Sequence, residues 1–176
     1  MNLAIGRAGV VLGLVAAVFG VISLAVGLLE DRPAVRRTAR WYALLVLVGA
    51  VIAAVAMERA LITRDYTVEY VADNGSSRTP ALYNFATMWG ALEGSILLWS
   101  LVLAGYLVAV VRKFRERLDD RGVAWALLTM FAVAVFFFAL MIGPANPFQR
   151  FDPPLGYDGP GPNPLLQNHP LMAIHP

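Results

Sequence analysis

The chain has 176 residues, of which 59% are hydrophobic and only 15% charged. A soluble domain carries about 25% charge, so this balance excludes an ordinary soluble fold and points to an all-α polytopic membrane protein. With no cysteine there is no disulfide, thiolate metal site or thiol nucleophile, and the net charge of +2 reads as membrane topology, with no nucleic acid as partner.

The first apolar run, Ala8 to Leu29, follows a single basic residue, Arg7. It is longer than the roughly 7–15 residues of a signal-peptide core, and its strong charges come after it, so it is expected to be a transmembrane helix that starts outside the cytoplasm. Gly9 and Gly13 form a small-xxx-small pair of the kind that lets helices approach closely; generic membrane glycine is the equally open alternative. A polar turn with Pro33 and four arginines leads to Trp41 and Tyr42, placed as an interfacial aromatic belt. The second run is Trp41 to Met57. The excursion that follows has balanced charges, a stretch Thr67 to Val71 that alternates in the manner of a short strand, and a turn cluster at Asp73 to Ser77, which together suggest a β-hairpin or an irregular excursion.

Leu82 to Leu92 reads as an interfacial helix or as the entry to the third span. The third span covers about 95–111, and Glu93 stands at its mouth, where a carboxylate is costly unless wet or paired and favourable if it sits at a helix N-terminus. After a second basic turn, Arg112 to Arg121, the fourth span covers Val123 to Ile142, with Phe136-Phe137-Phe138 as lipid-facing or packing bulk. Nine of the eleven prolines then fall between Pro144 and Pro176, so 144–176 is an irregular segment that must lie outside the hydrocarbon or be covered by protein. The expected division is therefore a four-helix membrane region, 1–143, with spans at about 8–29, 41–57, 95–111 and 123–142, followed by the Pro-rich segment.

The turns between spans one and two and between spans three and four hold nine of the fourteen basic residues. The positive-inside rule puts those turns in the cytoplasm, with the N-terminus, the hairpin-bearing loop and the C-terminal segment outside.

The candidate donors for a haem or metal are few. His169 and His175 are the only histidines, and two histidines six apart without cysteine do not make a structural zinc site. Histidine is the usual axial ligand of haem iron, but spacing alone leaves His175 open between ligand and solvated loop residue. No nucleophile triad or phosphate loop is present; Gly159-Pro160-Gly161-Pro162 is a turn.

Four blocks carry a resemblance: Asp65 to Ala72; Trp89-Gly90-Ala91-Leu92-Glu93-Gly94-Ser95 through Trp99; Asn146-Pro147-Phe148; and Asn163 to Asn168 with Ile174-His175-Pro176. In this order they resemble the N-terminal portion of the CcmF family of cytochrome c-type biogenesis proteins, within the CcmF/CcsA haem-handling group. The resemblance implies a multi-pass protein of the bacterial inner membrane that takes haem from the haem chaperone CcmE, works with other cytochrome c maturation subunits, and as a haem lyase assists covalent attachment of haem to apocytochrome c. It implies that His175 is an external haem-iron ligand, with Trp89, Glu93 and Ser95 supporting the external cavity. It gives His169 no role.

The family's tryptophan-rich segment and further histidines lie beyond Pro176, so the sequence reads as truncated before the next helix and is expected to be inactive alone as a lyase. A transporter or channel subunit and a scaffold subunit of a membrane complex are the alternatives. The first would need polar residues lining the spans, where Ser23, Ser100, Tyr106 and Thr129 are the candidates.

Overall fold

The computed structural model describes residues 1–163; His169 and His175 lie outside the described residues. Its long helices are α1 (Asn2–Leu29), α3 (Ala39–Ile62), α6 (Leu92–Lys113) and α7 (Arg121–Ile142), four in all that are long and apolar enough to cross a membrane. Short helices α2 (Pro33–Arg36), α4 (Glu69–Asn74) and α5 (Ala81–Ala86) and a 3₁₀ turn, Thr87–Trp89, fill the connections. Helix α1 packs on α3 and α7, and α6 packs on the same two, which closes a ring of four.

What lets α1 sit inside this ring is the absence of side chains along one stripe. Gly6, Gly13 and Gly20 recur every seven residues, and a methyl group on each would collide with the ring of Phe148, Phe138 and Phe131 respectively. Helices in lipid gain little from apolar burial and associate through close packing, so flat stripe and bulky rings form one device. On the neighbouring face a Cβ at Gly9 would lie 2.7 Å from the Gly49 carbonyl oxygen, and one at Gly49 2.6 Å from the Gly13 amide nitrogen. The expected small-residue contact is thus a backbone crossing of α1 and α3. The Phe136 to Phe138 block divides: Phe138 is fully buried and Phe136 is exposed.

The two ends of the ring are built differently. At the turn end, Arg36 is buried; its Nε donates to the Asp119 carbonyl (2.9 Å), and its Nη1 donates to the Gly27 carbonyl (2.8 Å) and to Asp31 (2.9 Å). At the loop end, Asn2 donates to Asp65 and accepts from Arg59, both at 2.8 Å. That contact carries α3 past Met57, through Glu58 and Arg59, to Ile62.

The strand expected at Thr67 to Val71 is not formed. Val68 makes a single antiparallel bridge to Arg150, and the chain then turns into α4. The chain bends into helix from Glu69, which buries Tyr70, Val71 and Ala72, and among the described residues the only partner backbone the stretch meets is the bridge at Arg150. Among the described residues the excursion contains no hairpin.

Candidate functional site

The Trp89 to Ser95 motif forms the join between the 3₁₀ turn and α6. Thr87 and Met88 are buried there, and their carbonyls accept from the Tyr70 hydroxyl at 2.7 and 3.1 Å. Gly94 lies directly beneath, where a Cβ would collide with the Met88 carbonyl oxygen and the Tyr70 hydroxyl. Only glycine leaves room for this approach. Ser95 donates to the Trp89 carbonyl at 2.8 Å and so closes the turn. From the other side, buried Asn84 donates to the Leu61 carbonyl at 2.9 Å, fastening α5 to the end of α3. Burial, with a smaller contribution from the Glu93 charge, raises the Tyr70 phenol above its ordinary pKa and keeps it a neutral donor.

Of the residues expected to support an external cavity, Glu93 and Trp89 are near each other in sequence but serve different spaces. Glu93 lies in the first turn of α6, where negative charge is favoured. It lines a polar recess of about 100 Å³ with Glu69, Asp73, Asn74, Asn146 and Gln149. Trp89 stacks edge-on with Phe85, centroids 5.2 Å apart, and with Met88 and Leu98 lines an apolar groove of about 460 Å³ on the flank of α3 and α6. Ser95 braces the motif and lines neither space.

The Pro-rich segment is tied down on the excursion between α3 and α5. Asp158 accepts from the Tyr66 hydroxyl (2.7 Å), the Ser77 amide (2.7 Å) and the Ser77 hydroxyl (2.6 Å). The Ser77 and Tyr66 donors hold its carboxyl down at about 2. Tyr157 packs its ring against Tyr66 and Phe151 and donates to the Ala72 carbonyl. Earlier in the segment, Asn146 accepts from the Phe148 amide, and Arg7 donates to the Phe148 carbonyl, both at 2.9 Å. The Asn146-Pro147-Phe148 block therefore shapes a turn that drops Phe148 onto Gly6.

As a cofactor site the described residues are incomplete. Trp89 and Phe85 offer an aromatic wall suited to a porphyrin. The recess, however, is smaller than the roughly 300 Å³ of a usual ligand pocket, and its carboxylates suit neither haem propionates nor haem iron. No cluster of three metal-ligating side chains occurs among the described residues. The chain's only imidazoles, His169 and His175, are outside them. Sequence reasoning missed Tyr70, Asn84 and Asp158. The signal for Tyr70 was available in Gly94 of the motif, since a glycine in a helical stretch points to a close neighbour.

No family model matches the chain. It is 37% identical over 139 residues to the cytochrome c-type biogenesis protein CcmF of Escherichia coli (strain K12), covering 79% of this chain and 21% of that one. Identity to CcmF of Pseudomonas fluorescens is 41% over 117 residues, 66% of this chain and 17% of that one. Identity to the cytochrome c-type biogenesis protein CycK of Rhizobium meliloti is 32% over 178 residues, 100% and 26%. A solved structure of the cytochrome c heme lyase CcmF is similar with a TM-score of 0.85 at 32% identity, over 99% of this chain and 27% of that chain. The chain spans about a fifth of the length of the curated relatives it matches.

Proposed function

This chain belongs to the CcmF family of cytochrome c-type biogenesis proteins, and from that premise we propose that it serves cytochrome c maturation by presenting one haem-iron ligand, His175, on the external face of the bacterial inner membrane. The observation that carries this reading is the anchoring of the Pro-rich segment. Asp158, Tyr157 and the Gly161 amide, which donates to the Gly75 carbonyl at 3.1 Å, fasten it to the loop end. The segment is thereby held against residues 66–77 as far as Gly161.

The two arginine-rich turns meet at the opposite end, where Arg36 donates to the Asp119 carbonyl and Arg121 pairs with Asp31. The positive-inside rule makes that end cytoplasmic and the loop end external. Haem, when bound, supplies the iron that imidazole coordinates and the vinyl groups that join apocytochrome c thiols. The chain's part is to hold and orient: His175 fixes the iron, the Trp89 and Phe85 rings offer an apolar wall, and the Tyr70–Gly94 brace keeps that wall in place. Holding partners in register replaces a chance encounter. The haem chaperone CcmE as donor and apocytochrome c as acceptor complete the scheme, and attachment itself is the activity of the longer family protein.

The test is His175→Ala in the protein as it occurs in the cell. Loss of haem captured from the chaperone, read from the absorption spectrum of the purified protein, and loss of cytochrome c yield are expected. Unchanged haem content and yield overturn the proposal.

A further inference from the structure

At the turn end, opposite the haem-handling face, the carboxylates are already spoken for. Glu30 pairs with Arg32, Asp31 with Arg36 and Arg121, Asp119 with Arg37, and Asp120 with Arg117. Among the described residues Arg40 and Arg112 form no ion pair. Arg115 has only a 3.5 Å contact to its exposed neighbour Glu116. These three under-compensated guanidinium groups are not scattered over the surface. They share one groove of about 450 Å³ between the start of α3 and the end of α6, whose apolar part is Leu44, Val108, Val111 and Leu118. Trp41 stands at the rim, 57% exposed, with the Arg40 guanidinium 5.0 Å from its ring centroid.

An arginine cluster directly above an apolar trough, beside an interfacial tryptophan, matches one kind of ligand: a molecule with an anionic head and a hydrocarbon tail, lying parallel to the helices. A soluble anion leaves the trough empty, and a neutral lipid leaves three cations unmatched. We propose that this groove is a binding site for an anionic phospholipid. Its phosphate lies on Arg40, Arg112 and Arg115, which can grip phosphate oxygens through two N–H groups at once, and its acyl chain lies along Leu44 and Val108. Basic pockets between membrane helices at this level hold anionic headgroups in just this manner. The site rests on α3 and α6, the two helices that also carry the Trp89 groove at their other ends, so lipid there would clamp the pair that frames the haem-handling face.

The experiment uses the full chain in detergent, titrated with phosphatidylglycerol or phosphatidylcholine of identical acyl chains, with retained lipid counted by native mass spectrometry. Phosphatidylglycerol is expected to be retained preferentially. At roughly fivefold per arginine, Arg40→Gln with Arg112→Gln weakens it about 25-fold, and adding Arg115→Gln brings the loss to about a hundredfold. The control variant Arg37→Gln with Arg117→Gln removes as much charge from the same end, but from paired arginines, and stays within about twofold of the parent. Helical circular dichroism confirms folding of each variant. Inorganic phosphate as competitor separates headgroup from whole lipid; it displaces phosphatidylglycerol only weakly if the trough contributes. Equal retention of the two lipids, an equal effect of the control variant, or full displacement by phosphate each overturns the proposal. None of these outcomes touches the His175 reading, which makes no use of Arg40, Arg112 or Arg115.

Discussion

The two ends of the helical ring hold themselves together by different chemistry. The turn end is a mesh of arginine–carboxylate pairs around buried Arg36. The loop end relies mainly on neutral donors, tyrosine, serine and asparagine, on carbonyls and on Asp158, with Arg7 and Arg59 donating to neutral acceptors. Positive charge concentrated at one end records orientation in the membrane. Hydrogen bonds from largely neutral donors at the other hold an irregular backbone in shape. The comparison teaches that charge pairs fasten the turns at one end, while at the other hydrogen bonds to carbonyls fix an irregular backbone.

The largest expected effect is at the turn end. Arg36→Leu removes three charge-assisted hydrogen bonds from a buried side chain, and a loss of about 3 kcal/mol is expected, read by denaturant unfolding in detergent. A smaller loss, of about 2 kcal/mol, is expected at the loop end from Gly94→Ala, since the Met88 carbonyl cannot yield without breaking the turn. Tyr70→Phe alone costs about 1 kcal/mol for its hydroxyl. The pair is expected to be less than additive, because removing the hydroxyl frees part of the space the alanine needs. Strict additivity would separate Tyr70 from the Gly94 constraint and break the brace.

The pH response sharpens the contrast further. Asp158, held at about 2 chiefly by Ser77 and Tyr66, lies below its unfolded value. Its contribution to stability is therefore full above about pH 4 and is lost as pH falls toward 2. Asp31 is held low chiefly by Arg36 and loses its contribution in the same direction. The chemistry separates them in part: salt at about 1 M screens the exposed Arg121 contact to Asp31 but leaves the hydrogen bonds from buried Arg36 and from Ser77 largely intact. The Ser77 amide shift, followed by NMR on ¹⁵N-serine-labelled protein, is expected to titrate with a midpoint near 2 that salt barely moves, while the Asp31 carboxyl midpoint rises with salt. Asp158→Asn abolishes the Ser77 titration.

Much of the fold was legible because membrane helices are written in long apolar runs, and lipid demands that their backbones be satisfied internally. The Gly9–Gly13 pair was legible as a packing feature, but not its partner, Gly49. The seven-residue recurrence of Gly6, Gly13 and Gly20 means something only beside Phe131 and Phe138, which lie more than a hundred residues away. Of the two readings of Thr67 to Val71, β-hairpin or irregular excursion, the structure has the irregular one: five alternating residues make a strand only where a partner strand is supplied, and here only a single bridge to Arg150 is. At the candidate site, the Trp89 to Ser95 motif announced itself by resemblance, yet its physical reason, a glycine under a tyrosine hydroxyl, required Tyr70 to be placed first. His175 remains an inference from sequence and kinship.

The finest contrast between the ends lies in how two helices stop. α1 and α3 both close through a residue in the left-handed region, Asp31 at φ 48° and Arg64 at φ 52°, with the next amide reaching back to Gly27 and Ala60 respectively. Neither is glycine, so each closure carries strain of roughly 1 kcal/mol. Asp31 keeps its place by accepting from Arg36 and Arg121, whereas Arg64 has only a long, exposed bond to the Ser77 carbonyl at 3.3 Å. Arg64→Gly is therefore expected to raise stability by up to about 1 kcal/mol, and Asp31→Gly to lower it despite the same relief of strain. Unfolding of the two variants side by side decides the point: a gain at both positions would show that the turn-end mesh contributes less than the strain it sustains.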